Sequence, residues 1–183
     1  MVVSLANSQL LLPEWSAQLA TKAGMKLNVR PASGDDDQRL LDFFEDVTAD
    51  DLRFRFLSGL RNVGQLLVHQ LTELDHDRTE HLLAFDARDG ALVASVMIAA
   101  DERMVKAEVA VVVRSDLKGR GIGWAMLKHA CDYAAARGIR RVESIEAADN
   151  RTAISLEEEM GFETREFPGD STLRLVTRDL EPA

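Results

Sequence analysis

The sequence predicts one domain of mixed α and β structure, α/β (α+β) in class. Three observations lead there: short apolar runs that alternate with period two, longer runs with apolar residues at helical spacing, and one segment that passes from the first pattern to the second through a glycine-rich turn. A chain of 183 residues suits a single domain with a sizeable core.

Residues 1–25 read as an N-terminal extension and residues 26–180 as the domain. Leu10-Leu11-Leu12 leaves three readings open: packing on the domain, contact with a second subunit in a homodimer, or a poorly ordered tail. Trp15, Leu19 and Ala20 fall at helical spacing. Lys26–Pro31 alternates and stops at proline, the pattern of an edge strand. Ser33-Gly34-Asp35-Asp36-Asp37 is a turn and capping cluster ahead of Leu40, Leu41, Phe43, Phe44 and Val47 at helical spacing. Its acidic triplet favours a helix N-terminus over a cation site. Thr48 or Asp50 caps a short helix carrying Leu52, Phe54, Phe56 and Leu57, with Arg53 and Arg55 as solvated charges between packed rings.

Leu60–Leu74 reads as a further amphipathic helix and Asp75-His76-Asp77-Arg78 as a polar turn, whose adjacent side chains seldom converge on one ion. His81–Asp86 and Leu92–Ala100 form a hairpin about Arg88-Asp89-Gly90. Arg141–Ala147 is a strand, Asn150–Met160 a helix, and Phe162–Phe167 with Thr172–Thr177 a last hairpin through Pro168-Gly169-Asp170.

The chain is organised around Ala107–Gly138. The β-branched run Val109–Val113 suits a buried strand, and Arg114-Ser115-Asp116 breaks it. Lys118-Gly119-Arg120-Gly121-Ile122-Gly123 follows. Apolar residues then resume at helical spacing through Met126, Leu127, Ala130 and Tyr133, with Gly138 as a left-handed cap. Such a turn gathers free backbone N–H groups at the positive end of a helix dipole, and glycines let an anion approach them. It reads as a phosphate or pyrophosphate cradle. It is not a Walker A loop, because Trp124-Ala125 follows Gly123. Nor is it a dinucleotide fingerprint, because Gly119, Gly121 and Gly123 are spaced too closely.

Composition excludes other classes. A formal net charge of −9 and a pI near 4.9 argue against a nucleic-acid binder and are compatible with cationic substrates. Cys131, the single cysteine, gives neither a disulfide nor a metal cluster, and reads as a small buried side chain. No stretch reaches the roughly 18 apolar residues of a membrane span. Met1–Leu12 lacks the basic start of a signal peptide, so a cytoplasmic protein is expected.

The frame Lys118–Gly123 resembles motif A of the GNAT acyltransferases, Gln/Arg-x-x-Gly-x-Gly/Ala, with Lys118 where the family usually has Gln or Arg. Asn150-Arg151-x-Ala153-x-x-Leu156-x-x-x-x-Gly161-Phe162 resembles that family's Asn-initiated helix ending in Gly-Phe. Thr48-x-x-Asp51-x-x-x-Arg55-Phe56 and Ala107-Glu108-x-Ala110-Val111-Val112 are similar to the bacterial protein-lysine acetyltransferases of the Pat type. The resemblance implies a mixed, mostly antiparallel sheet flanked by helices on both faces. It also implies transfer of an acetyl group from acetyl-CoA to a primary amine, on a small molecule or a protein lysine.

By the same resemblance, the amides of Lys118, Gly119, Arg120, Gly121, Ile122 and Gly123 hold the coenzyme A pyrophosphate. Val111, Val112 and Val113 offer backbone N–H groups to the thioester oxygen. Asn150 contacts pantetheine, caps its own helix, or does both. Glu108 is the candidate general base, as the one carboxylate on the central strand beside an apolar run that would raise its pKa. The family's acid, a tyrosine seven residues after the helix-starting Asn, falls on Glu157. Either the thiol needs no acid, or the catalyst is weakened. The alternative class is a non-catalytic acyl-CoA-binding sensor or interaction domain.

Overall fold

The structure, a computed structural model, describes residues 15–181. Its strands are β1 (Ala17–Ala20), β2 (Lys26–Pro31), β3 (Thr79–Asp86), β4 (Leu92–Ala100), β5 (Lys106–Val113), β6 (Arg141–Ala147), β7 (Glu163–Phe167) and β8 (Asp170–Asp179). They form one sheet in the order β1-β2-β3-β4-β5-β6-β8-β7. The helices are α1 (Asp37–Glu45), α2 (Ala49–Phe56), α3 (Gln65–Thr72), α4 (Ile122–Ala136) and α5 (Arg151–Glu159).

Among the described residues β5 and β6 are the only parallel neighbours. Connectivity explains this, because β5 reaches β6 by way of α4, and a helical crossover returns the chain in the same direction. The helices cover both faces. Met126, Ala130 and Ala134 of α4 bury with Val96, Val109 and Val142 on one side. Leu40 and Phe43 of α1, Leu52 of α2 and Val68 of α3 bury with Leu83 and Val112 on the other. Strand alternation sends Val109 and Val112 to opposite cores. No helix among the described residues is long and apolar enough to cross a membrane.

The local punctuation is as the residues require. The Thr48 hydroxyl accepts from the Asp51 N–H and so caps α2. Gly138 takes φ +80° just past α4, and Ile139 N–H closes the turn on the Ala134 carbonyl. Of the acidic triplet, Asp36 is wholly buried and receives both terminal nitrogens of Arg30, each at 2.7 Å.

Three expectations give way. Trp15, Leu19 and Ala20 do not share a helix, because Ala17–Ala20 pairs with Val29–Lys26 as β1, and sheet pairing overrides a weak local period. Part of the stretch expected as an extension therefore belongs to the sheet. In consequence Lys26–Pro31 is interior, between β1 and β3. Its proline is still tolerated, since β1 ends opposite Val29 and leaves Pro31 unflanked on that side. Finally, the helix expected over Leu60–Leu74 is confined to Gln65–Thr72 and begins after Gly64, with Leu66 76% exposed. Leu10–Leu12, and the homodimer contact considered for it, lie outside the described residues.

Candidate active site

β5 and β6 pair only from Lys106↔Arg141 to Glu108↔Glu143. Beyond that rung each follows its outer neighbour, β5 along β4 to Val113↔Ala94 and β6 along β8 to Ala147↔Leu173. The strands part, and the gap opens into a cavity of about 590 Å³. The Arg114 N–H bonds the Val93 carbonyl at 2.9 Å. By antiparallel alternation the Val112 N–H also faces β4, whereas the N–H groups of Val111 and Val113 turn toward the gap. Of the three valines expected to offer a backbone donor, two are therefore placed to do so.

The glycine turn forms the floor of this cavity. Gly119 and Gly121 take φ +76° and +78°, which a side chain would resist, and α4 starts directly after Gly121. Gly119 has open space where a Cβ would stand, whereas a Cβ on Gly121 would lie 3.4 Å from the Lys22 backbone nitrogen. Gly123 has an ordinary backbone, and a Cβ there would make ordinary contact with Leu156 at 3.5 Å and Val113 at 3.7 Å. This bare, left-handed edge beside the unpaired amides at the start of α4 fits a diphosphate. Lys118, Gly119, Gly121, Ile122 and Gly123 line the cavity, and Arg120 does not. Held between two left-handed glycines, Arg120 is turned out to solvent, where its charge acts on Asp116. Lys118 lines the cavity, but its ammonium is engaged by the Asp51 carboxylate of α2.

The acidic groups depart furthest from expectation. Glu108 lines the cavity at the last shared rung but is exposed rather than enclosed by the apolar run, since its neighbours Ala107 and Val109 point to the opposite face. Two other carboxyls occupy the enclosed positions. Glu146 on β6 is pushed up to about 7 by burial, against the Asn150 side-chain bond and the Arg55 charge. Asn150 makes no side-chain cap on α5, because its Nδ2 donates to Glu146 Oε2 at 2.7 Å instead. Glu157 on α5 is 4% exposed, and burial followed by the Glu146 charge pushes it up to about 8.

Arg55, expected as a solvated charge, faces Glu108 and Glu146 from α2. Its Nε is buried without a partner, and burial lowers its pKa to about 10. The burial of Glu157, which the family resemblance places at the acid position, also has a signal in the sequence: with Ala153, Leu156 and Met160 it stands on the apolar stripe of its helix, where a carboxyl is out of place. Nothing comparable marks Glu146 or Arg55.

Residues 43–162 match the Acetyltransferase (GNAT) family. Acetyltransferase PA5475 of Pseudomonas aeruginosa is 28% identical over 151 residues, 81% of each protein. The GNAT domain of S. lividans PAT superposes with a TM-score of 0.83 at 27% identity, over 91% of this chain and 97% of that domain. A spermidine N-acetyltransferase from Vibrio cholerae, solved with CoA and spermine, shares the fold at a TM-score of 0.68 and 16% identity, over 84% and 95% of the two chains. With two thirds of its length matched to the family and a parted β5–β6 pair above a glycine turn, the chain belongs to the GNAT family of acetyl-CoA-dependent N-acetyltransferases.

Proposed function

We propose that the protein moves the acetyl group of acetyl-CoA to a protein lysine by direct attack in a ternary complex, with Glu108 taking the amine's proton. The observation that carries this reading is the arrangement along the β5–β6 gap. Glu108 stands at its apex, the N–H groups of Val111 and Val113 along one edge, and the Lys118–Gly123 turn at its floor. The turn's amides and the start of α4 bind the diphosphate. The valine N–H groups polarise the thioester carbonyl, and Glu108 is reached from the solvent side where an acceptor enters. A lysine acceptor is supported by likeness to the GNAT domain of S. lividans PAT along nearly the whole chain, and by the Pat-like residues on α2 and β5. Net acidity favours an ammonium-bearing partner.

Calorimetric titration with acetyl-CoA should show binding by the wild type and none by Gly121→Glu, which sets a carboxylate in the anion cradle. Glu108→Gln should keep that affinity and lose about 100-fold in kcat toward lysine peptides, the usual worth of a general base. An unchanged rate in Glu108→Gln removes Glu108 from the mechanism. A preference for spermidine or free amino acids over lysine peptides removes the proposed acceptor.

A further inference from the structure

Among the described residues, Glu157 is the one carboxyl of the cavity wall that is shut away from water with an oxygen unpartnered. Its Oε1 is held at 2.5 Å from the Ser144 hydroxyl, and its Oε2 has no hydrogen-bond partner. Ser144 is the first residue of β6 past Glu143, the last to pair with β5, so the bond pins Glu157 at the apex of the gap. Glu108 stands on the other strand at the last shared rung, opposite Glu143. Alternation places the two carboxyls on opposite sides of the sheet. Glu108 shares a face with Val112, which packs beneath α1–α3. Ser144 shares a face with Val142, which packs beneath α4. A thioester lying between the strands therefore has Glu108 on one side and Glu157 on the other.

We propose that Glu157 is the acid of the reaction, giving its Oε2 proton to the sulfur of the departing coenzyme as Glu108 takes a proton from the attacking nitrogen. The proposal rests on the acetyl-transfer reading above. From the neutral amine, the nitrogen lone pair forms the C–N bond, and the C–S bond breaks with its electrons passing to sulfur. One proton leaves nitrogen for Glu108 and one reaches sulfur from Glu157. Glu108 then loses its proton to water, and Glu157 regains one. A buried carboxyl with an unbonded oxygen is far cheaper to keep neutral than charged. The surroundings reinforce this. Glu146 faces Glu157 from β6 and Glu158 from its own helix, both disfavouring ionisation, while the Ser144 hydroxyl favours it; Arg55 lies toward Glu146 from α2. An enclosed carboxyl kept neutral and an exposed one on the far side of the same gap can divide the acid and base roles between them.

The test compares wild type with Glu157→Gln, which keeps the shape and the Ser144 contact. Infrared spectra of the protein without ligand should show protonated-carboxyl absorption at neutral pH in two components, one from Glu146 that fades near pH 7 and one that fades with a midpoint near pH 8 and is missing from Glu157→Gln. In acetyl transfer, kcat of Glu157→Gln should drop about 100-fold and lose its fall at alkaline pH, the signature of a removed general acid. Acetyl-CoA affinity and the unfolding midpoint should not fall, which separates the role from a structural one. Absence of a component that Glu157→Gln removes, or a kcat within twofold of wild type, overturns the acid. If the wild type acetylates no amine, the acetyl-transfer reading itself fails and takes the acid with it.

Discussion

The ammonium of Lys118, at the head of the glycine turn, is bonded to Oδ1 of Asp51 on α2, 67 positions earlier in the chain. The same carboxylate bonds the Ser115 hydroxyl at 2.5 Å and the Thr48 hydroxyl at 3.0 Å. Burial works against its charge, but these partners together keep its pKa below the usual carboxylate value. The glycine turn and α2 are thereby tied at one point.

Because Asp51 already neutralises Lys118, the diphosphate of the proposed complex should be held chiefly by backbone amides. Lys118→Ala should therefore change acetyl-CoA affinity by less than about threefold, in line with the small worth of a half-exposed ion pair. Asp51→Asn frees the ammonium and should tighten acetyl-CoA binding, most visibly at low salt. It also weakens three bonds, so the unfolding free energy should drop by about 1–2 kcal/mol. Calorimetry and urea unfolding on the two variants read both effects.

The glycines of the turn should not respond alike. Gly119 combines φ +76° with open space, so Gly119→Ala strains the backbone and places a methyl on the edge proposed for the diphosphate. It should lower stability by about 1 kcal/mol and weaken acetyl-CoA binding as well. Gly123 lies in the first turn of α4 with an ordinary backbone and room for a Cβ against Leu156. Gly123→Ala should be neutral or stabilising by up to about 1 kcal/mol. Equal losses in both variants would contradict this account of the turn.

Asp36 should make stability depend on acid. Burial works to raise its pKa, but bonds from Arg30, from the Ser33 backbone and from Arg39 prevail and lower it from 3.8 to about 2. A carboxyl depressed in the fold stabilises above its unfolded value and loses that contribution as pH falls through its folded value. The contribution, about 2 kcal/mol, should be constant from neutral pH down to pH 4 and vanish on approaching pH 2. Urea unfolding of wild type and Asp36→Asn at stepped pH should show their difference closing across that window. Arg30→Ala should cost more than Asp36→Asn at neutral pH, since it leaves a buried charge short of its main partner.

Cys131 should be inert. It is buried against the core of α4, and burial pushes its thiol up to about 11. A thiol reagent should modify it only as fast as the protein unfolds, and Cys131→Ala should keep kcat. Rapid labelling of the folded protein would show that this side of α4 opens.

What could be read from the chain alone was what neighbours in sequence decide. Val109–Val113 followed by Gly119, Gly121 and the apolar phase of α4 is a local pattern, and it led to strand, glycine-rich turn and helix. Thr48 as a cap and Gly138 as a stop need only the residues beside them. The tertiary structure decided what depends on groups remote in sequence. Pairing with β2 made a strand of Ala17–Ala20, where the local pattern is only four residues long. Lys118 lost its free charge to Asp51, Asn150 turned from its helix to Glu146, and Glu157 came to rest on Ser144 in the cavity wall. A side chain's charge follows the solvent and partners around it, and those are set when β5 and β6 part and helices close on both faces.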